Sequence, residues 1–354
     1  MKAGLKRSTC YARIRGWDLG FSRFINGSML YRMPELEGPY PAYLGLTATG
    51  ELARRAVQAA GLLNECHACP RACGSNRTHD SRGDCGVGRD IVLASYGPHH
   101  GEEDCLKGWR GSGTVFLAGC NLRCVFCQNW DISHEVRGQP VTSVKLAEVM
   151  VRLQELGCHN INWVSPSHVV PQLLEALVIA VERGLSLPIV YNSGGYDSVE
   201  TLKLLEGIVD IYMPDFKFWD PAVAERLCGV RLYPEVARNA LREMHRQVGD
   251  LTIDPQGLAR RGLLVRHLVL PNDMAGTAAI AHWIASELSP HTYINLMDQY
   301  HPSGNMLRRE PPPPFHDLGR SVDASEFDAA MDAVLAAGLH RLDHRQPVRR
   351  GWFH

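Results

Sequence analysis

Three cysteines follow one another closely in the segment "GCNLRCVFCQNW", at the spacing C-x3-C-x2-C: Cys120, Cys124 and Cys127. Thiolates are ligands for soft metals, and three of them leave a metal site one ligand short. A structural zinc site closes with four protein ligands, whereas a 4Fe–4S cluster held by three thiolates keeps one iron open for a substrate. The triplet predicts such a cluster, with a zinc loop completed by a distant ligand as the alternative. Phe126 would shield the cluster and could stack on a bound aromatic base.

A second group of cysteines has the spacing C-x2-C-x3-C-x11-C and comprises Cys66, Cys69, Cys73 and Cys85. Four thiolates suit a closed site, which is either structural zinc or a fully ligated auxiliary 4Fe–4S cluster. The softness of the ligands does not separate the two metals, because both accept thiolate. The scattered cysteines are interpreted as buried thiols: Cys10, Cys105, Cys158 and Cys228.

Composition limits the class of protein. The chain has 354 residues, 45 % of them hydrophobic and 21 % charged, with a formal net charge of −1. This balance gives no electrostatic reason to expect nucleic-acid or membrane-surface binding, and no apolar run has the length of a membrane span. The basic start "MKAGLKRSTCYARIRGWDLG" has no apolar segment after it, so no signal peptide is expected. We therefore expect a cytoplasmic protein, and clustered cysteines in a reducing compartment more often bind metals than form disulfides.

Six short apolar runs alternate with helical patterns from Gly113 onward: "TVFLAG", "INWVS", "PIVYNS", "IVDIYMP", "LLVRHLVL" and "YINLMD". Near-continuous apolar runs are typical of strands covered on both faces. The alternation predicts an α/β fold of parallel strands with right-handed crossovers, open or partly closed as a barrel. The cysteine triplet directly follows the first strand, and the carboxyl end of parallel strands is the functional face of such barrels.

Helices are predicted between these strands and at both sides of them. One is expected near Thr47–Ala60, one from an N-cap at Ser143 to Gly157, and a last one near 324–338. The predicted organisation is an N-terminal extension with a helix and a Cys-rich module over residues 1–104, a core over 105–310, and a C-terminal helical extension over 311–354. The Pro-rich segment Glu310–Phe315 is expected at the surface.

Charged residues at strand ends form a further candidate site. Asp215 and Lys217 stand two apart in "MPDFKF", and alternate residues of an extended segment point to the same side. Arg266 lies in the apolar strand "VRHLV" and therefore needs an anionic partner. A bound carboxylate or a structural ion pair would each supply one.

The segment "GTVFLAGCNLRCVFCQNW" resembles the cluster loop of the radical S-adenosylmethionine (radical SAM) superfamily. Together with "CPRAC…GDCG", "PSHVVPQLLEAL", "MPDFKF", "VRHLVLP" and "NLMDQYHP", it is similar to the PflX-type proteins, which are described as like the pyruvate formate-lyase activating enzyme. The resemblance covers about Leu44 to Asp343. It implies a partial (βα)6 TIM-like barrel with a Cys-rich N-terminal module.

The resemblance also implies cofactors and a reaction. A 4Fe–4S cluster on the triplet would bind S-adenosylmethionine (SAM) and cleave it reductively to a 5′-deoxyadenosyl radical, which abstracts a hydrogen atom from a substrate. The electron would come from a donor such as flavodoxin or ferredoxin. A glycyl-radical enzyme is the candidate protein substrate. The alternatives are a small molecule or another macromolecule as substrate, or a non-catalytic iron–sulfur or zinc protein.

Further residues receive roles through the resemblance. Many members carry Gly-Gly-Glu after the second strand to bind the methionyl amine, but "SPSH" stands here, so Ser165, Ser167 or His168 would replace it. A structural turn is the alternative. In activating enzymes an Asp-Thr pair, a Met and an Asp surround a cation beside SAM, and a Lys reaches the SAM carboxylate. The matching positions are Asn192, Ser193, Met213, Asp215 and Lys217.

Overall fold

A computed structural model of the protein describes residues 38–79, 81–307 and 315–343. Part of the N-terminal extension, with Cys10, lies outside the described residues. So do Glu310–Pro314 of the Pro-rich segment and the chain after Asp343. Among the helices that the structure does describe, none is long and apolar enough to cross a bilayer.

One mixed sheet organises the described residues. Its strands are β1 (Ile91–His99), β2 (Ser112–Leu117), β3 (Gln139–Val141), β4 (Ile161–Val164), β5 (Ile189–Ser193), β6 (Ile211–Pro214), β7 (Thr252–Ile253), β8 (Ala259–Leu268), β9 (Tyr293–Met297) and β10 (Arg341–Leu342). The order across the sheet is β10-β9-β8-β6-β5-β4-β2-β1-β3, and β7 pairs with β8. All neighbours from β2 to β10 along this path are parallel, whereas β1 is antiparallel to both β2 and β3.

The predicted α/β class is confirmed. The six apolar runs of the sequence are strands β2, β4, β5, β6, β8 and β9, and they lie side by side in chain order. Helices connect them, as parallel strands require. The strand burial is near-complete; in β5 all five residues are buried. This two-sided cover explains why the runs are apolar throughout and do not alternate.

The helices lie between and outside these strands. They are α1 (Tyr43–Ala48), α2 (Glu51–Gly61), α3 (Asp104–Lys107), α4 (Trp130–Ser133), α5 (Ser143–Glu155), α6 (Val170–Glu182), α7 (Val199–Leu204), α8 (Pro221–Cys228), α9 (Tyr233–Val248), α10 (Thr277–Glu287) and α11 (Ala324–Ala336). Helix α5 packs its buried side chains against the sheet and α6. Asp323 and Glu326 form a capping box at the start of α11, which satisfies backbone donors of its first turn.

Two helix boundaries differ from the prediction. The helix expected near residues 47–60 is two helices, α1 and α2, because Gly50 adopts a left-handed conformation with φ of 75° between them. A left-handed residue cannot continue an α-helix, and glycine adopts this conformation without steric cost. The N-cap of α5 is Thr142, whose side chain accepts a hydrogen bond from Lys145 N, so Ser143 is already inside the helix.

The register of the parallel strands aligns their carboxyl ends. Val164 at the end of β4 pairs with Asn192 of β5, and Asn192 pairs with Met213 of β6. Beyond β6, Asp215 forms a bridge with Arg266 of β8. Three polar residues from three strands, Asn192, Asp215 and Arg266, therefore share one edge of the sheet.

The opposite edge is closed by a buried carboxylate. Asp210, just before β6, accepts hydrogen bonds from Ala42 N at 3.0 Å and Ile189 N at 3.1 Å. Burial raises the pKa of this carboxyl group to about 6 from an ordinary value of 3.8. The two donors favour the charged form but do not offset the loss of solvent.

We predict that Asp210 makes the protein less stable as the pH rises. The native pKa lies above the unfolded value, so the stabilising contribution is complete below pH 3.8 and is lost as the pH rises through about 6. The loss amounts to about 3 kcal/mol at about 1.4 kcal/mol per pKa unit. Asp210→Asn does not titrate, so urea unfolding at pH 4 and pH 7 should show the variant gaining stability relative to the wild type. A constant difference between the two proteins at both pH values would contradict this.

Candidate functional site

A cleft opens at the carboxyl edge of the parallel strands. Its cavity volume is about 260 Å3, which lies near the lower end of the roughly 300–1,000 Å3 typical of small-molecule sites. The predicted site residues that line it are Cys120, Cys124, Phe126, Cys127, Ser165, Ser167, Asn192, Ser193, Asp215, Lys217 and Arg266. Residues far apart in the chain thus meet where the sequence predicted a functional face.

The three cysteines of the triplet occupy the loop after β2. Leu122 N donates to Cys120 Sγ at 3.4 Å, and the Ser133 hydroxyl donates to Cys127 Sγ at 3.1 Å. Burial raises the pKa of Cys120 to about 12, and the neighbouring Cys124 thiol adds to this shift. Donors aimed at the sulfurs favour thiolates, so the loop offers sulfur ligands that a metal can deprotonate and hold.

Phe126 forms an apolar wall beside the triplet. Its ring is 5 % exposed and makes edge-to-face contacts with Phe218 and Tyr300, at centroid distances of 6.1 and 5.8 Å. These contacts fix the ring orientation. The structure therefore places Phe126 where the prediction of a shielding side chain requires it.

Asp215 lies between two cations. Its carboxylate accepts from Lys217 Nζ at 2.5 Å and from Arg266 Nε at 2.8 Å, and all three side chains are less than 20 % exposed. Burial works to raise the pKa of Asp215, but the charges of Arg266 and Lys217 hold it below its usual range. The three side chains are thus ionised and sum to one positive charge, while the carboxylates of Glu103 and Glu102 also act on Arg266. The prediction that Asp215 and Lys217 share a side is confirmed, and Arg266 has a structural ion-pair partner.

The residues assigned to a cation by resemblance have other partners. Asn192 Oδ1 accepts from Arg266 Nη2 at 2.8 Å, so the Arg266 guanidinium lies between Asn192 and Asp215. The Ser193 hydroxyl donates to Asp197 at 2.7 Å. Met213 is a correction to the prediction: it is fully buried in an apolar cluster and does not line the cleft. Met213 points to the same side as Asp215, which follows two residues later, but it lies one step deeper along the strand, below the cleft and among apolar side chains.

The residues of the segment "SPSH" lie partly at the cleft and partly in the protein interior. Ser165 lines the cleft with a φ of 59°, and its N–H donates to Asn192 O at 2.8 Å. Ser167 also lines the cleft, but His168 does not. Burial lowers the pKa of His168 to about 4, and its Nε2 is 3.0 Å from Ala118 O. A neutral, buried His168 that is bound to the backbone has a structural role.

Two contacts near the cleft were not predicted. The Tyr233 hydroxyl accepts from Lys217 N at 2.9 Å and lies within donor distance of the carbonyls of Gly194 and Asp215. Cys228 at the end of α8 lies against Cys124, so the triplet has a fourth thiol nearby. Neither residue stands in a motif, because each approaches from a helix that follows β6 in the chain and packs behind the residues that line the cleft.

The donor set fits a 4Fe–4S cluster. Three soft thiols line an apolar-walled cleft with donors to two of the sulfurs. Among the described residues, no three histidine, cysteine or acidic side chains converge where a single metal ion could be held. A cubane cluster gives each thiolate an iron of its own, so its ligands stand further apart than those of one ion. The fit therefore rests on the three thiols and on the hydrogen-bond donors to two of the sulfurs.

Comparison with known proteins places the chain in a superfamily. Residues 114–254 match the radical SAM superfamily. The chain is 30 % identical over 282 residues to uncharacterized protein MJ0674 of Methanocaldococcus jannaschii, covering 77 % of this chain and 75 % of that protein. It is 26 % identical over 276 residues to uncharacterized protein MJ0808 of the same organism, covering 72 % and 75 %. The chain belongs to the radical SAM superfamily, whose members typically use a 4Fe–4S cluster and SAM.

Solved structures resemble the chain more distantly. A radical SAM methyltransferase from Sphaerobacter thermophilus has a TM-score of 0.42 at 15 % identity, covering 64 % of each chain. Methylornithine synthase (PylB) has a TM-score of 0.42 at 18 % identity, covering 63 % of this chain and 60 % of that one. Similarities at this distance say nothing about the reaction of this chain.

We predict that Ser165→Gly stabilises the protein relative to Ser165→Ala. A left-handed conformation costs a residue with a Cβ about 1–2 kcal/mol, which glycine avoids. Both variants lose the hydroxyl, so their difference isolates the backbone strain; urea unfolding should separate them by about 1 kcal/mol. Equal stabilities would show that Ser165 is unstrained.

Proposed function

We propose that the protein binds a 4Fe–4S cluster through Cys120, Cys124 and Cys127 and cleaves SAM reductively. One observation carries this proposal: the three thiols line the same cleft as the cationic group of Asp215, Lys217 and Arg266. When bound, the cluster supplies the electron that converts SAM to methionine and a 5′-deoxyadenosyl radical, which abstracts a hydrogen atom from the substrate.

The residues of the chain bind and orient SAM. Its carboxylate matches the one net positive charge of the Asp215 group, and a charge-assisted hydrogen bond from Lys217 would fix its position. Ser165 supplies a hydroxyl group where the sequence lacks a carboxylate for the methionyl amine, whereas the Ser167 hydroxyl is already hydrogen-bonded to Asp197. Phe126 and Leu122 supply the apolar wall that keeps water from the thiols.

We propose the substrate and the electron donor from the family resemblance alone. The PflX-type resemblance supports a glycyl-radical enzyme as the protein substrate and flavodoxin or ferredoxin as the electron donor. The guanidinium of Arg266 stands where that resemblance expects a bound cation, and this difference favours testing other substrates in parallel. An anaerobic assay for 5′-deoxyadenosine, with and without each candidate, would identify the substrate by an increased yield.

We predict that the triple substitution Cys120→Ala, Cys124→Ala and Cys127→Ala removes about four irons per chain and abolishes 5′-deoxyadenosine formation. The physical reason is that no other thiols line the cleft among the described residues. The matched control is Cys158→Ala, which removes a buried thiol outside both groups. SAM cleavage by the triple variant would contradict the proposal.

We predict that Lys217→Met weakens SAM binding roughly tenfold or more, the value of one hydrogen bond to a charged group. Asp215 keeps Arg266 as its partner, so the fold and the iron content should be unchanged. Lys203→Met is the control, because Lys203 is an exposed lysine paired with Glu200 on α7. Equilibrium dialysis with labelled SAM measures the affinity. Equal affinities of the Lys217 and Lys203 variants would show that Lys217 only neutralises Asp215.

A further inference from the structure

The second group of cysteines surrounds a buried charge. Arg77 is fully buried, although it belongs to the irregular loop that carries these thiols. Its Nε donates to Gly88 O at 3.0 Å, and its Nη1 donates to His168 O at 2.6 Å and lies 3.7 Å from Cys66 Sγ. Its Nη2 has no partner. No carboxylate in the described part of the chain lies within ion-pair distance of it.

A buried guanidinium without a negative partner is costly. Carbonyl groups satisfy its hydrogen bonds but do not neutralise its charge, and removing a charge from water costs several kcal/mol unless it is paired. The groups near Arg77 that can become anionic are thiols. Cys66 Sγ lies beside Nη1 of Arg77, and the positive charge of Arg77 also acts on the thiol of Cys85.

The four thiols lie close together. A methyl group on Gly83 would contact Cys73 Sγ at 3.2 Å and Cys85 Sγ at 3.4 Å, so Gly83 lies between these two sulfurs. Burial raises the pKa of Cys69 to about 12, with smaller contributions from the neighbouring thiols of Cys85 and Cys66. Three of the four thiols are also buried. The four thiols and the unpaired cation therefore lie in one module, although no three of these sulfurs converge where a single ion could be held.

We propose that Cys66, Cys69, Cys73 and Cys85 bind a metal centre as four thiolates, and that Arg77 is its buried counter-cation. Four thiolates carry two net negative charges both around Zn2+ and around an oxidised 4Fe–4S cluster. Either centre supplies the anion that Arg77 lacks. A zinc ion requires the four sulfurs to close in to about 2.3 Å from one point, whereas a cubane cluster spreads them over four irons.

The same centre supports the loop of the triplet. Asn121, directly after Cys120, is 4 % exposed and its side chain hydrogen-bonds Cys69, while Arg71 Nε donates to Asn121 O at 2.8 Å. A Cβ on Gly119 would approach Cys85 O to 2.6 Å. The backbone on both sides of Cys120 therefore rests on the second group of cysteines. This supporting role rests on the proposed function, whereas the metal centre itself does not.

The test uses the full chain with the triplet removed. The variant with Cys120, Cys124 and Cys127 all changed to Ala is isolated anaerobically, and zinc, iron and acid-labile sulfide are measured. We expect about one zinc per chain, or about four irons with four sulfides. Addition of Cys69→Ala and Cys73→Ala should remove that metal, and addition of Cys158→Ala should leave it. A triplet-free protein without zinc or iron would overturn the proposal, whether or not the intact protein cleaves SAM.

Variants of Arg77 test the counter-cation without deleting a ligand. The Arg77→Met variant should lose its metal to a chelator about 10- to 100-fold more readily than the wild type, as happens when a group next to metal ligands is removed. The Arg77→Lys variant should retain the metal better than Arg77→Met. Unchanged retention in Arg77→Met, or equal retention in Arg77→Met and Arg77→Lys, would overturn the role of Arg77.

Discussion

The ion pairs of Asp215 with Lys217 and Arg266 are the interaction on which the cleft depends. Asp215 follows β6 and Arg266 lies in β8, so one carboxylate joins two strands at the edge where the triplet loop lies. Removal of the carboxylate would leave two largely buried cations unpaired, which is strongly destabilising. The arrangement also keeps one positive charge in excess. The group therefore joins the strand ends and places the Lys217 ammonium and the Arg266 guanidinium at the cleft.

The parallel strand topology made the sheet and the position of the triplet predictable from the sequence. Apolar runs that alternate with helices predicted the sheet, and the position of the triplet after the first strand predicted its place at the carboxyl edge. The two-residue spacing of Asp215 and Lys217 predicted that their side chains point to the same side. Each inference uses only neighbours in the chain or the general direction of parallel strands.

Contacts between residues far apart in the sequence could not be predicted from local patterns. Whether Arg266 binds a protein carboxylate depends on the register of β6 against β8, which local patterns do not reveal. The burial of Met213 depends on how far along β6 the cleft ends and the apolar cluster begins. Arg77 stands in a polar loop segment, and its burial comes from docking against Gly88 and His168. Such residues show their role only when distant segments are brought together.

In the proposed function, the triplet and the cationic group together form one cofactor site. Electron paramagnetic resonance of the anaerobically reconstituted, dithionite-reduced protein tests this most directly, because SAM that binds at the open iron alters the signal of a reduced 4Fe–4S cluster. We predict a cluster signal that changes when SAM is added to the wild type and changes much less at the same SAM concentration in Lys217→Met. A wild-type protein without such a signal, or with a signal that SAM does not alter, would contradict the account.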